Sequence, residues 1–202
     1  MNNIRSKLDQ ARQLLKQQAY RECHAICLDV LRHQPTCGEA FCVLGLMTLE
    51  HQNTTKAIDL FERAMSCGYE TGEAEAFAAR ALIALHKRSE AVEMASKAAS
   101  YHPDDAIVLD TIGVVFSRTS HHDRALPFYE DATRRAPNDP GYLYNYGTAL
   151  QFLGRFEAAK SAFRNCIARD PENGKALVAL ATLGEDSGAI DLVASLQRVW
   201  RD

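Results

Sequence analysis

The sequence predicts an all-α protein built from stacked helical hairpins, that is, an α-solenoid, and two observations predict it. The first is the spacing of the prolines, because Pro103, Pro137 and Pro171 are evenly spaced and Pro35 lies two such intervals before Pro103. The second is the recurrence of apolar and small residues at intervals of three and four, which places them on one face of a helix. A repeat period of this length is typical of a protein made of stacked units.

Each repeat is expected to contribute two helices, and a terminal segment adds one more pair. The five repeats and the terminal pair are predicted at 4–37, 38–71, 72–105, 106–139, 140–173 and 174–202. Their first helices are predicted near 5–17, 39–51, 73–86, 107–119, 141–153 and 174–184. Residues 1–202 therefore form one predicted array of about twelve helices.

Within a repeat, the first helix carries a large residue followed by glycine, and the second carries alanines around an aromatic residue. The pairs are Leu44-Gly45, Ile112-Gly113 and Tyr146-Gly147, with Ala78-Ala79 in the third repeat, and three of them follow a packing residue: Phe41, Leu109 or Leu143. The second helices carry Ala57, Phe61 and Ala64; Ala91, Ala95 and Ala98; Ala125, Tyr129 and Ala132; Ala159, Phe163 and Cys166. Small residues let two helices approach while the ring fills the gap, so a helical hairpin is predicted. The third repeat, with only alanines at these positions, is expected to bury the least apolar area and is therefore predicted to have the lowest local stability.

This pattern resembles the tetratricopeptide repeat (TPR), whose signature runs W-x2-L-G-x2-Y, then A-x3-F, then P. The resemblance covers essentially the whole chain. The first repeat departs from it, with Lys7 and Gln10 at packing positions and Cys23, Cys27 and Val30 in place of the alanine and aromatic set. The resemblance implies a right-handed superhelix of hairpins, whose first helices line a concave groove.

Composition and charge argue against several classes of protein. The 202-residue, 22.4 kDa chain is 47% hydrophobic and 24% charged, which is typical of a globular protein. Its 23 basic and 26 acidic residues give a net charge of −3, so a strongly basic nucleic-acid binder is not expected. The longest apolar run, 40–47, is far shorter than the ~20 residues that span a bilayer, and the first residues contain no signal-peptide core. We therefore expect a soluble, cytoplasmic protein.

The candidate metal, redox and catalytic groups are better explained by structural roles. Cys23 and Cys27 fall at positions that face the partner helix, where a free thiol behaves as a small apolar residue. The run His121-His122-Asp123 falls in a predicted turn and is expected to be exposed. No phosphate-binding loop, nucleophile elbow or zinc-protease motif occurs. The sequence thus predicts no enzyme activity within these residues, no metal and no cofactor.

The rest of the first-helix surface is predicted to bind a protein or peptide, as the resemblance implies. The candidate groove residues are Leu8, Arg12, Cys42, Leu46, Leu49, Phe77, Arg80, Asp110, Val114, Arg118, Tyr144, Asn145, Thr148, Gln151 and Lys175. This set is apolar in repeats one to three and more polar in repeats four and five, which suits a peptide with apolar anchors. Leu46, Leu49 and Phe77 have an alternative role, packing between neighbouring helices. The Lys/Asn/Arg clamp with which some TPR domains hold acidic chaperone tails does not occur at these positions.

Two other functions stay open. The segment from Asn173 to Trp200 resembles the end of the TPR region in bacterial TPR–sulfotransferase fusions. That resemblance implies a substrate-positioning part of a larger enzyme that uses 3′-phosphoadenylyl sulfate. The second alternative is a chaperone of bacterial type III secretion that shields apolar segments, although those proteins resemble three-repeat chains.

The predicted final helix, 189–200, carries apolar residues on two faces. One stripe can pack on helix 174–184, but Leu192 and Val199 lie about 60° from the centre of that stripe and beside the Trp200 ring. An exposed apolar patch is uncommon on a soluble monomer. Leu192, Val199 and Trp200 are therefore predicted to contact a second copy of the chain, as a homodimer, or a following domain.

Overall fold

The computed structural model describes residues 2–184, and within that range it contains eleven α-helices and no β-strand. The helices are α1 (Asn2–Lys16), α2 (Tyr20–His33), α3 (Gly38–Glu50), α4 (Thr54–Ser66), α5 (Glu73–Ala84), α6 (Arg88–Ser100), α7 (Ala106–Arg118), α8 (His122–Arg135), α9 (Pro140–Phe152), α10 (Phe156–Arg169) and α11 (Gly174–Thr182). The predicted all-α fold is confirmed, and each first helix lies within a few residues of its predicted range. The contact surface predicted at Leu192, Val199 and Trp200 lies outside the described residues.

Side chains at the helix starts explain several of these boundaries. Asn53, Asp105, Asp139 and Asn173 each accept a hydrogen bond from a backbone N–H in the first turn of the helix that follows. Such caps satisfy donors that have no partner inside the helix. Pro140 is the first residue of α9, where its missing N–H loses no helical hydrogen bond.

The turn inside each hairpin recurs at the same position of all five repeats. Gln18, Gln52, His86, Ser120 and Gly154 all have positive φ, between 58° and 71°. The residue after each one donates its backbone N–H to the carbonyl five residues earlier, for example from position 155 to position 150 at 2.9 Å. This is the Schellman arrangement that ends an α-helix. Only the fifth hairpin uses glycine, which adopts this φ without steric cost.

Close packing of a ring on a glycine joins the two helices of three hairpins. A Cβ atom added at Gly45, Gly113 or Gly147 would lie 2.6–2.7 Å from the aromatic ring of the second helix. The rings belong to Phe61, Tyr129 and Phe163, so each ring packs directly on the backbone of its first helix. In the third repeat the matching residues are Ala79 and Ala95, both fully buried. In this hairpin Ala79 therefore takes the place of the glycine, and Ala95 takes the place of the aromatic ring.

The chain divides into two compact units, Met1–Pro103 and Asp104–Asp202, called unit 1 and unit 2 below. In unit 1, Phe61 is fully buried and its ring stacks on Phe77 with centroids 6.3 Å apart. In unit 2, Phe163 is buried in a cluster with Leu143 and Leu150. The division falls two residues before the predicted end of the third repeat, and the single array stays a prediction. Within residues 2–184, no helix is long and apolar enough to cross a membrane.

Candidate functional site

The first helices of unit 1 are joined by polar side chains around Arg12. Arg12 donates from Nε to Glu39 Oε1 at 2.8 Å, and from Nη1 and Nη2 to the two Glu73 oxygens at 2.9 and 2.7 Å. Its Nη2 also donates to the Tyr69 hydroxyl at 2.8 Å, and that hydroxyl donates to Glu73 Oε2 at 2.7 Å. The Cys42 thiol lies 3.5 Å from the same oxygen. We call these five residues the Arg12 cluster; its arginine binds carboxylates from two other repeats.

The protonation states of the Arg12 cluster follow from its burial and its ion pair. Burial would raise the pKa of Glu73, but the Arg12 guanidinium and the Tyr69 hydroxyl stabilise the carboxylate and hold its pKa below the ordinary value. Burial and then the Glu73 charge raise the pKa of Tyr69, so this hydroxyl stays protonated and can donate. Burial also raises the pKa of the Cys42 thiol well above its ordinary value. The cluster is therefore an ion pair held beside a neutral phenol and a neutral thiol.

Three predicted groove residues of unit 1 are buried in the protein core, which corrects their assignment to an open surface. Leu8 is 4% exposed and belongs to a cluster with Val30 and Ala40. Cys42 has no exposed area, and Phe77 is 7% exposed and packs against Phe61. The neighbouring repeats cover these side chains, and only tertiary contacts could reveal that. For Phe77 the structure thus supports the packing alternative.

The other predicted residues of unit 1 keep some exposed surface. Leu46 and Leu49 are half-buried against the cluster of Phe61 and Phe77, which also agrees with their packing alternative. Arg80 is exposed, and its guanidinium lies 5.4 Å from the centre of the Phe77 ring. Arg12 is half-buried, and its bonds to Glu39, Tyr69 and Glu73 already occupy all three of its nitrogens.

In unit 2 the predicted residues lie on α7, α9 and α11, and none of them is buried. Asn145 of α9 donates from Nδ2 to Asp110 Oδ1 of α7 at 2.9 Å, so two successive first helices are joined by an amide–carboxylate contact. The Tyr144 ring packs against Phe163 with centroids 5.9 Å apart, and the Thr148 hydroxyl donates to the Tyr144 carbonyl at 2.9 Å. The unit 2 face, as we call it, consists of Asp110, Val114, Arg118, Tyr144, Asn145, Thr148, Gln151 and Lys175, all half-buried or exposed.

One end of the unit 2 face has a negative electrostatic environment. The pKa of Tyr142, at the start of α9, is raised to about 12, first by burial and then by the charges of Asp139, Asp110 and Asp105. Burial and the Asp110 charge also raise the pKa of Tyr129. Because these carboxylates act on the same region, a positive group would be favoured there.

The cysteines and histidines hold structural positions. Cys23, Cys27, Cys37, Cys42 and Cys166 are buried as free thiols. For Cys23, Cys27 and Cys166 this confirms the predicted packing role. His121 and His122 are half-buried, which corrects their predicted exposure. The rings of His121 and His122 form hydrogen bonds with the hydroxyls of Thr119 and Ser117, respectively. The His122 ring also stacks on the Phe152 ring, with centroids 4.2 Å apart. Within residues 2–184 no group of three or more His, Cys, Asp or Glu is placed to hold a metal ion.

Sequence reasoning missed the acidic partners of Arg12. Glu39 and Glu73 occupy the same position of two successive repeats. A comparison of charged residues at equivalent repeat positions would have found this pair. It also missed Glu75, a buried carboxylate at the position of the packing residues Phe41, Leu109 and Leu143.

Two family models match the chain, and together they cover most of it. The model described as the N-terminal TPR repeats region of Psidin matches residues 46–163. The model described as a tetratricopeptide repeat matches residues 144–196. Among curated proteins, tetratricopeptide repeat protein 28 of Homo sapiens is 28% identical over 90 residues, which is 45% of this chain. The chain covers only 4% of the length of that human protein.

Solved structures share the fold along most of the chain. PilW, a widely conserved type IV pilus biogenesis factor, has a TM-score of 0.77 at 19% identity, with 100% of this chain and 95% of PilW covered. YrrB, described as a TPR protein with an unusual peptide-binding site, has a TM-score of 0.60 at 20% identity, with 86% and 89% covered. At such identities the likeness establishes the fold alone. The predicted likeness to sulfotransferase fusions stays a prediction, since most of the segment it rests on lies outside the described residues.

Proposed function

The chain belongs to the tetratricopeptide repeat family, and from this premise we propose that it is a non-enzymatic scaffold that binds a peptide segment on the unit 2 face. The family assignment supports a protein-interaction role. The choice of surface is supported by one observation: all eight predicted residues of unit 2 keep exposed area, whereas three of the seven in unit 1 are buried.

Asn145 provides the polar recognition of the proposed peptide. A side-chain amide carries two N–H donors and one carbonyl acceptor, so it can pair with the backbone of an extended peptide. The bond from Asn145 to Asp110 uses one of the two donors and holds the amide in a fixed orientation. Fixing a recognition group in advance lowers the entropy lost on binding.

Tyr144 and the nearby carboxylates define the chemistry of the preferred peptide. The Tyr144 ring is held against Phe163 and is half-exposed, so it offers a rigid apolar surface to an aliphatic or aromatic anchor. The acidic region around Tyr142 favours a basic residue at the end of the peptide that lies nearest to Tyr142. The proposed ligand is therefore an extended segment with one apolar anchor and one basic residue.

The test uses a peptide selected for binding to the full chain from a random-sequence display library. Its affinity is measured by calorimetry for the wild type and for the variants Asn145→Ala and Tyr144→Ala. We expect each variant to bind at least about tenfold more weakly, which corresponds to about 1.4 kcal/mol. Arg134→Ala, which removes an exposed charge of the second helix α8, is the matched control and should leave the affinity unchanged.

Circular dichroism of all four proteins must show the same helix content for the comparison to hold. If the selected peptides bind the Asn145→Ala and Tyr144→Ala proteins as tightly as the wild type, the unit 2 face is not the binding surface.

A further inference from the structure

A cavity of about 310 Å³ lies in unit 2 between α8, α9 and α10, beside the loop that joins α8 to α9. Its apolar walls come from Pro137 of that loop and from Leu143 and Tyr146 of α9. Asn165 and Arg169 of α10 line the same space. None of these residues belongs to the unit 2 face, so the cavity is a separate feature of this unit.

The guanidinium of Arg169 is held in place by two backbone carbonyls. Its Nε donates to the carbonyl of Pro137 at 3.0 Å, and its Nη1 donates to the carbonyl of Asn165 at 3.2 Å. An arginine carries five N–H donors, so these two bonds leave Nη2 and part of Nη1 for another acceptor. No acidic side chain within residues 2–184 forms an ion pair with Arg169. The cavity therefore contains a cation that is oriented in advance and has no anionic partner in this range.

The other two charged residues that line the cavity compensate each other. Arg134 Nη2 lies 4.0 Å from Glu130 Oε1, and both residues belong to α8. Arg134 Nη1 also lies 2.9 Å from Asp131 Oδ1, outside the cavity lining. The charge of Arg134 is thus satisfied within its own helix, and the charge of Arg169 is the one left for a ligand.

Two neutral side chains add hydrogen-bond donors to the lining. Burial and then the Glu130 charge raise the pKa of Tyr146, so this phenol stays protonated at neutral pH and can donate. The Asn165 side-chain amide is exposed and forms no hydrogen bond within residues 2–184. An amide of this kind has two N–H donors. Donors and an apolar wall therefore line the same space.

The packing of the repeat does not require Tyr146 or Arg169. Leu44 and Ile112 occupy the position of Tyr146 in the second and fourth repeats, and Cys67 occupies the position of Arg169 in the second. Among the five repeats, only the fifth combines a phenol at the first position with a guanidinium at the other. This combination is a property of one site and not of the repeated scaffold.

We propose that this cavity binds a small organic acid, that is, a carboxylate attached to a compact aromatic or aliphatic group. The carboxylate accepts hydrogen bonds from Arg169, with Asn165 and the Tyr146 hydroxyl as further donors, and the apolar group packs on Leu143 and Tyr146. Arginine binds a carboxylate through two parallel hydrogen bonds, which add direction as well as energy.

The size of the cavity supports a small ligand. Its volume of about 310 Å³ is at the lower end of the range of roughly 300–1,000 Å³ that small-molecule sites span. This inference goes beyond the proposed function, because the site shares no residue with the unit 2 face and takes a ligand of a different class.

The test titrates the ¹⁵N-labelled full chain with phenylacetate and with phenylacetamide, which has nearly the same shape and no charge. We expect phenylacetate to shift the amide resonances of α9, α10 and the loop 136–139. It should bind at least fivefold more tightly than phenylacetamide, because only the anion pairs with Arg169. Its affinity should also fall with rising salt concentration.

Three substitutions separate a binding role from a structural one. Arg169→Met keeps the aliphatic stem and should reduce the affinity for phenylacetate to that for phenylacetamide. Glu130→Gln removes a negative charge from the lining and should strengthen phenylacetate binding about twofold, which damage to the fold would not produce. Arg164→Met is the matched control, because it removes an exposed arginine of α10 that does not line the cavity, and it should leave the affinity unchanged.

Several outcomes would overturn the proposal. Two are equal affinity for phenylacetate and phenylacetamide, and unchanged phenylacetate binding in folded Arg169→Met protein. An equal loss of affinity in Arg164→Met would show that only the general positive charge of α10 attracts the anion. The peptide acetyl-Ala-Ala-Phe with a free terminal carboxylate is titrated in parallel. If it bound at least fivefold more tightly than phenylacetate, the cavity would belong to a polypeptide terminus instead of a small acid.

Discussion

Arg12 shows how one side chain can join three repeats. The Arg12 side chain is 28% exposed and binds Glu73, whose side chain is 15% exposed, through two hydrogen bonds. Two parallel bonds between an arginine and a carboxylate are stronger and more specific in direction than a single contact. Because water is largely excluded, removal of one partner leaves the other charge without compensation. The cluster therefore stabilises the arrangement of α1, α3 and α5.

Arg12→Ala should lower the free energy of unfolding by about 2 kcal/mol at neutral pH, because it leaves the Glu73 carboxylate unpaired. The pKa of Glu73 is lower in the folded state than in the unfolded state. The ion pair thus contributes fully above the unfolded pKa, and its contribution is lost as the pH falls through the folded pKa. Urea denaturation at pH 7 and pH 3 should show a smaller difference between the two proteins at pH 3. An equal difference at both pH values would contradict this role of Glu73.

The positive φ angles of the hairpin turns provide a second prediction at this scale. Gly154 has φ of 71° and open space around its Cα, so a side chain there meets no neighbour and only the backbone is strained. Gly154→Ala should therefore destabilise the protein by about 1 kcal/mol. Gln52→Gly, at the matching turn of the second repeat, should be neutral or mildly stabilising. Chemical denaturation measures both; a stabilising Gly154→Ala would show that the left-handed conformation is not required.

At the scale of the helix pair, the third repeat differs from the others in the size of its side chains. Its helix α5 buries five alanines together with Phe77 and Leu82, whereas the buried residues of α7 include Ile112, Val115 and Phe116 and no alanine. Smaller side chains remove less apolar area from water on folding.

Hydrogen exchange measures this difference between the repeats. Backbone amides of residues 72–105 should exchange faster under native conditions than those of residues 106–169, because local opening exposes less apolar surface there. Mass spectrometry of the deuterated protein gives the protection of each segment. If residues 72–105 were the most protected segment, the expected softness of the third repeat would be wrong.

In the third repeat, Ala79 and Ala95 replace the glycine and the aromatic residue of the other hairpins. The effects of substitutions at positions 79 and 95 on stability should therefore be coupled. Ala95→Phe alone should destabilise the protein by about 2 kcal/mol, since the Ala79 methyl occupies the space that a glycine leaves to the ring elsewhere. Ala79→Gly alone should cost about 1 kcal/mol, because glycine lowers helix stability. The double variant should be more stable than the sum of the two predicts, by about 1–2 kcal/mol. Thermal and urea denaturation of the four proteins test the cycle, and simple additivity would contradict this packing.

At the scale of the whole molecule, each unit has its own buried core. Unit 1 contains the stacked pair Phe61 and Phe77, and unit 2 contains Phe116 and Phe163, both almost fully buried. Repeat proteins gain stability from contacts between neighbouring repeats, so a group of adjacent hairpins can fold without the rest.

Fragments 1–103 and 104–202 should therefore each be helical and unfold cooperatively when they are produced separately. A control fragment, 1–86, ends between α5 and α6 and leaves Ala79 and Leu82 without their partner helix. It should be less stable than fragment 1–103. Circular dichroism during heating gives both comparisons. A fragment 1–103 that is no more stable than the control would show that α6 does not complete the core of unit 1.

How much could be predicted depended on the distance between the interacting residues along the chain. The sequence predicted the repeat period and the six first helices. It also predicted the packing of the aromatic rings on Gly45, Gly113 and Gly147, because each glycine and its ring lie sixteen residues apart inside one hairpin. Helical spacing and residue size decide such local packing. The sequence by itself therefore determined the fold class, the family and the helix pairs.

Only the tertiary structure decided which side chains the neighbouring repeats cover. Arg12 meets Glu39 and Glu73 across 27 and 61 residues. Cys42 and Phe77 are buried in an apolar cluster to which both the second and the third repeat contribute. A cavity of about 480 Å³ between α4, α5 and α6 likewise depends on how much volume these helices fill together. Repeat periodicity shows which face of a helix a residue occupies, but burial and charge pairing depend on the sizes and charges of side chains from several repeats at once.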